Sequence, residues 1–271
     1  MPLSIRGRPD EAVSRQVLHA ALDAGVTLID TADSYCLDDR ETGHNERLVA
    51  DALRGWSGQS ASVLVATKGG LVRPGGAWER DASPKRLRAA CDHSLKALAV
   101  ERITLYQLHA PDPAVPFEDS VGALADLRRD GKIGWVGLSN VSVAQIKAAE
   151  AIVPIATVQN RLSPFFREAV TEGVVRYCGE RGLGFLAYSP VGGGRLNLRL
   201  PGHPVVQAIA ERLGRSPHAV VVAWVRSQGP TVFAIPGART VEHARDAAGS
   251  ADLTLSPEDL TAIDRAEFDR R

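Results

Sequence analysis

The chain has 271 residues, with 32 basic and 32 acidic side chains and a formal net charge of zero at pH 7. That balance provides no overall field to recruit nucleic acid or an acidic membrane surface, and 44% hydrophobic against 24% charged residues excludes a disordered chain. Cys36, Cys91 and Cys178 lie far apart with no Cys-x-x-Cys pair, and there is no signal-peptide core or run of about 18 apolar residues; the expectation is a metal-free cytoplasmic protein that meets a small molecule, with no evident protein partner.

In chain order, Val13, Val17, Ala20 and Ala24 fall at helical spacing ahead of a first apolar run, 26–30. A second run at 63–67 precedes another helical pattern, Leu87, Cys91, Leu95 and Leu98, and further runs follow at 103–109, 133–138, 155–159, 184–188 and 231–235. Ser216-Pro217 and Ser256-Pro257 each read as an N-cap followed by proline at the first helical position, so a helix is expected to begin at both. Short apolar runs alternating with helical patterns are the signature of βα repeats around a parallel sheet. With no internal repeat or linker, one domain over 1–271 is expected.

Seven such strands suit either an open doubly wound sheet or most of an eight-stranded barrel. The first strand is not followed by Gly-x-Gly-x-x-Gly, so the dinucleotide fingerprint of the doubly wound fold is missing. Gly192-Gly193-Gly194 comes late and reads as a flexible turn.

Three successive runs end in residues that are costly to bury: Asp30 closes the first, Lys68 follows the second and His109 closes the third. Counting back in twos, Asp30 shares a face with Leu28 and Val26, Lys68 with Ala66 and Leu64, and His109 with Gln107 and Leu105. If that face points into a barrel, the three meet at its C-terminal mouth, where sites of this architecture are built. Tyr35, five residues past Asp30, is the candidate acid. A phenol titrates near 10 and needs a cation beside it, which Lys68 can supply with Asp30 as counter-ion, while His109 can orient a carbonyl. Singly, each of these residues has a structural reading as a loop cap, a snorkelling lysine, a core histidine or an exposed aromatic; their joint placement argues for chemistry.

Such a group moves a proton but supplies no electrons, so a hydride donor is required and a nicotinamide is the natural one. Polar residues at the ends of the next strands fit it: Ser139-Asn140, Gln159-Asn160 and Tyr188-Ser189. Side-chain amides can pair with a carboxamide, and a tyrosine ring can stack on a nicotinamide. Trp78, in the loop after Lys68, is a candidate wall of a substrate pocket. His44, His93, His203 and His218 have no convergent partner in the sequence.

Seven motifs in order, Asp30-Thr31-Ala32 with Tyr35, Ala66-Thr67-Lys68-Gly69-Gly70, Tyr106-Gln107-Leu108-His109, Gly137-Leu138-Ser139-Asn140, Gln159-Asn160, Tyr188-Ser189-Pro190 and Ile235-Pro236-Gly237-Ala238-Arg239, make the chain resemble the aldo-keto reductases over about nine tenths of its length. The resemblance implies a TIM-type (β/α)8 barrel without metal that reduces an aldehyde or ketone, or runs the reverse oxidation, with NADP(H) ahead of NAD(H). It implies Tyr35 as proton donor supported by Asp30, Lys68 and His109, and Ser139, Asn140 and Gln159 as carboxamide ligands under Tyr188. Ser189, Pro190 and Gly194 would lie near the pyrophosphate, with Pro236, Gly237, Arg239 and His243 also among the cofactor-binding positions.

Two departures stand out. The N-terminal hairpin and first strand usual in that family have no counterpart here, since Met1-Pro2-Leu3 falls about where that strand should finish; the sequence suits either a late start or a barrel with a gap, whose open edge would invite association. In the segment 240–247 the family's basic residue and Glu-Asn pair are replaced by His243, Asp246 and Ala247, leaving Arg239 and Arg245 to hold a phosphate at the helix start. Two further functions therefore stand beside the reductase: a non-catalytic nicotinamide-nucleotide-sensing subunit, and a lyase using Lys68 as a Schiff-base amine, against which Asp30 argues by keeping the amine protonated.

Overall fold

The computed structural model describes residues 2–270. Its contacts divide the chain into two compact units, one comprising residues up to 158 with Ala238–Val241, the other Gln159–Gly237 with Glu242 onward.

In the first unit, helix α1 (Glu11–Asp23) starts where Asp10 accepts from the Val13 amide, and leads into strand β1 (Leu28–Asp30). Helix α2 (His44–Gly55) follows, then β2 (Leu64–Gly69) and an antiparallel hairpin of β3 (Leu71–Val72) and β4 (Glu79–Arg80). Helix α3 (Pro84–Leu98) has the Ser83 cap and leading proline that start helices cleanly, and it buries Leu87, Ala90, Cys91, Ala97 and Leu98. The unit continues through β5 (Ile103–Leu108), α4 (Phe117–Arg129), β6 (Ile133–Ser139), α5 (Val143–Glu150) and the first half of β7 (Ile155–Arg161).

The second unit carries α6 (Glu168–Thr171), α7 (Val174–Arg181), β8 (Gly184–Tyr188), α8 (Gly193–Leu196), α9 (Pro204–Leu213), α10 (Pro217–Arg226), β9 (Val232–Ile235), most of α11 (Val241–Gly249) and α12 (Pro257–Arg265). Ser216 and Ser256 cap α10 and α12 as their Ser-Pro pairs indicate. Helix α10 buries every residue from Ala219 to Val225, as expected of a helix apolar all round.

The strands enter the sheet in chain order, β1-β2-β5-β6-β7-β8-β9, and β1–β2, β2–β5, β5–β6 and β8–β9 are parallel. This is the repeat of the (β/α)8 class with seven strands; among the described residues no strand precedes α1. Register aligns the site. Asp30 lies opposite Ala66, Lys68 opposite Gln107, and Gln107 opposite Gly137, so one face of the sheet carries Asp30, Lys68 and Gln107 at the strand ends. A Cβ on Gly137 would stand 2.7 Å from Gln107 Cγ and 2.4 Å from Thr157 Oγ1, so only glycine leaves room for Gln107 here.

Candidate active site

Lys68 sits inside β2 rather than after it, because the strand runs on to Gly69. Its side chain is fully buried, and an ammonium there must find acceptors for its three hydrogens. Lys68 Nζ donates to Asp30 Oδ2 at 2.5 Å, to the Thr31 carbonyl at 2.9 Å and to the Tyr35 hydroxyl at 3.1 Å. Burial works against its charge, but Asp30 and Tyr35 outweigh burial and the amine is held above its usual range. Asp30 is braced on its other oxygen by Gln107 Nε2, at 3.1 Å. The face-counting that placed Gln107 beside His109 did not bring out this bond.

His109 follows the end of β5, and its backbone amide donates to the Gly69 carbonyl at 2.9 Å. Its ring lies edge-on to Tyr35, centroids 5.6 Å apart at 84°. Burial, then the Lys68 charge, drives its imidazole well below the usual histidine range, so the ring is neutral at physiological pH. Ser34 Oγ is 3.4 Å from Nδ1; a bond donated there leaves the proton on Nε2. Asp30, Tyr35, Lys68 and His109 are thus brought together within one unit.

Ser139 and Asn140 stand at the end of β6. Ser139 is buried, and Asn140 Nδ2 donates to the His109 carbonyl at 2.9 Å and to Ser139 Oγ at 3.1 Å, which ties the amide to the strand end beside the histidine. Arg239 is exposed and donates to the Arg6 carbonyl at 3.1 Å, against the turn at Gly7.

In the second unit, Gln159 is buried in β7, Tyr188 ends β8 with the Arg161 guanidinium 5.6 Å from its ring centre, and Ser189 and buried Pro190 follow. Gly194 belongs to the short helix α8, where a flexible turn is expected from sequence. Pro236 and exposed Gly237 follow β9, and His243 is exposed on α11. Asp246 accepts from the α10 cap Ser216 at 2.6 Å, which gives it a structural engagement.

Among the described non-glycine residues only Ala99, Asn140 and Ser189 have positive φ. Ala99 is the left-handed C-cap of α3; Asn140 (φ 60°) and Ser189 (φ 50°) are both strand-end residues read as cofactor ligands. Such backbone costs a non-glycine residue about 1–3 kcal/mol and persists only where the surrounding structure over-determines it. Within the first unit, the tied Asn140 amide and the buried Ser139 hydroxyl offer the donors and acceptors with which a carboxamide can pair. Among the described residues no cluster of three His, Cys, Asp or Glu could hold a metal, and no helix is long and apolar enough to cross a membrane.

Arg73 was not legible in the sequence, nor were Asp33 and Glu46, both fully buried. The five bonds that Arg73 donates all go to backbone carbonyls.

The chain is similar to known proteins over most of its length. An uncharacterized oxidoreductase of Schizosaccharomyces pombe is 34% identical over 260 residues, covering 94% of this chain and 80% of the relative. The glycerol dehydrogenase of Gluconobacter oxydans superposes with a TM-score of 0.82 at 31% identity, over 95% of this chain and 86% of its own. An aldo-keto reductase of Klebsiella pneumoniae solved in complex with NADPH gives 0.80 at 28%, over 94% and 84%. The model of the aldo/keto reductase family matches residues 3–267, and the chain belongs to that family.

Proposed function

We propose that this chain reduces an aldehyde or ketone to the alcohol, or oxidises the alcohol back, with NADP(H) as redox partner and Tyr35 as proton donor. The observation that carries the reading is the 3.1 Å bond from Lys68 Nζ to the Tyr35 oxygen. An ammonium donating into the phenol oxygen stabilises the phenolate left when the proton departs.

When bound, the nicotinamide supplies the hydride that adds to the carbonyl carbon. Tyr35 delivers its proton to the substrate oxygen as negative charge builds there. His109, neutral and with a proton on Nε2, donates a second hydrogen bond to that oxygen and orients it. Asp30 keeps Lys68 charged in a dry site, and Gln107 keeps Asp30 in place. The family resemblance assigns Ser139, Asn140, Gln159 and Tyr188 to the nicotinamide, Ser189, Pro190 and Gly194 to the pyrophosphate, and Pro236, Gly237, Arg239 and His243 to the rest of the cofactor. NADP(H) ranks ahead of NAD(H) because the exposed Arg239 guanidinium offers a partner for a phosphate and because the Klebsiella relative was solved with NADPH.

The test is NADPH oxidation with a panel of aldehydes. Tyr35→Phe is expected to lower kcat about 10²–10⁴-fold with unchanged NADPH affinity. A phenylalanine variant as fast as the parent would remove the assigned role.

A further inference from the structure

Arg73, in the turn between β3 and β4, is 8% exposed. Nη1 donates to the Cys36 carbonyl at 2.7 Å and Nη2 to the Leu37 carbonyl at 3.0 Å, the two residues after Tyr35. Nη2 also reaches the Gly76 carbonyl at 2.8 Å, and Nε reaches the Gly76 and Ala77 carbonyls at 3.3 and 3.1 Å, the two residues before Trp78. The Trp78 ring covers the guanidinium, 3.9 Å from Cζ, and stands edge-on to Tyr35 at 6.4 Å. Gly75 and Gly76 adopt φ of 56° and 89°, left-handed conformations that curl the turn, and a Cβ on Gly76 would lie 3.2 Å from the Leu37 carbonyl.

A buried cation whose hydrogen bonds all end on neutral carbonyls is expensive, since carbonyl dipoles and a ring face replace water and the Asp38 carboxylate attracts it without bonding to it. A planar fork of five donors is the one side chain that can tie two loops together through their backbones at once. We propose that Arg73 is a positioning residue: it clamps the Tyr35 loop to the hairpin that carries Trp78, so that the proton donor and the aromatic wall beside it are set as one body. The proposal rests on the reading of Tyr35 as proton donor. Arg73 touches no reacting atom; it acts through where Tyr35 and Trp78 stand.

The test uses the full chain with Arg73→Ala and Arg73→Lys. The alanine variant is expected to lose kcat about 10–100-fold through misplacement of the phenol, with NADPH affinity by fluorescence titration unchanged. Millimolar guanidinium should restore part of the lost kcat and ammonium should not, because the cage of carbonyls and indole is shaped for a plane. The lysine variant should resemble alanine, a point charge with three donors being unable to bridge both loops. Amide hydrogen exchange should accelerate in residues 35–41 and 74–80 and nowhere else. An alanine variant with parental kcat and parental exchange overturns the proposal, as does a loss that guanidinium leaves untouched while exchange rises throughout the chain. Should the parent protein turn over no carbonyl substrate, the reading of the function fails while the exchange result still decides the clamp.

Discussion

Two lysine–aspartate pairs in the first unit have the same 2.5 Å separation and opposite surroundings. Lys68–Asp30, at the outgoing ends of β1 and β2, has side chains 0% and 4% exposed; Lys132–Asp92, where α3 faces the start of β6, has 38% and 49%. Distance is therefore not what separates them. At the buried pair water is replaced by Thr31, Tyr35 and Gln107, each a fixed partner, and the charges interact in a medium far less polarisable than water. Both partners of the other pair keep a large share of their surface in water. The first arrangement can hold a charge for chemistry, and the second only decorates a surface.

The largest effect that would break this contrast is at Lys68. Lys68→Met leaves Asp30 buried and unpaired, and the unfolding free energy measured by chemical denaturation is expected to fall by about 3–5 kcal/mol. Carbonyl reduction should fall about 10²–10³-fold or more with it. Pairing Lys68→Met with Asp30→Leu should recover most of the stability and none of the activity, because two apolar groups fill the site without an uncompensated charge. A single Lys68→Met variant with parental stability and turnover would show that the pair is neither strained by burial nor used.

Much of this site could be read from the chain because a costly residue at the end of an apolar run is visible in one dimension. Asp30, Lys68 and His109 mark three such ends, and the parallel register that aligns them follows from βα repetition. What escaped reading has a physical reason in each case. The hairpin strands Leu71–Val72 and Glu79–Arg80 are too short to show a period. Arg73 binds backbone carbonyls, which every residue has, so its partners leave no trace in residue type. Strand β2 extends two residues beyond the apolar run because Lys68 finds its acceptors inside the fold. Gly193 and Gly194 begin a short helix where three glycines in a row suggest only a turn. Asp33 and Glu46 give no sign in the sequence, since a polar residue announces burial only through partners that come from elsewhere.

Those two carboxyls sharpen the comparison from the other side, because their burial is not fully compensated. Asp33 Oδ2 accepts from Arg86 at 3.3 Å and Glu46 Oε1 from Thr67 at 2.6 Å, and the Ser34 amide and the Ser94 hydroxyl pull the two carboxyls the same way without overcoming burial. Burial, then the like charge of Glu46, pushes the Asp33 carboxyl from its ordinary value of 3.8 up to about 7 against the pull of Arg86. The sign follows from proton counting. Between these values the native state holds a proton that the unfolded chain releases, so the contribution is complete below the unfolded value and is lost as pH rises towards 7. Denaturation from pH 4 to 7.5 should show Asp33→Asn gaining on the parent by roughly 1–3 kcal/mol. Glu46, also raised, slopes the same way, and His109, held neutral, slopes the opposite way, so the difference between parent and variant is the quantity to follow. A difference independent of pH would mean that Asp33 is ionised in the fold with its charge fully met.

The smallest effect is expected at the exposed pair, and salt makes it decisive. Lys132→Met should cost less than about 1 kcal/mol, since both partners stay in contact with water and the pair pays side-chain entropy to hold its geometry. Raising ionic strength to about 1 M shortens the screening length to about 3 Å and should erase that cost. The Lys68→Met loss should persist at the same salt, because the side chains of that pair are 0% and 4% exposed and screening acts little on buried charges. If Lys132→Met proved as damaging as Lys68→Met, or if salt removed both losses alike, separation rather than burial would govern the two pairs, and the buried lysine would have no special claim to activate a phenol.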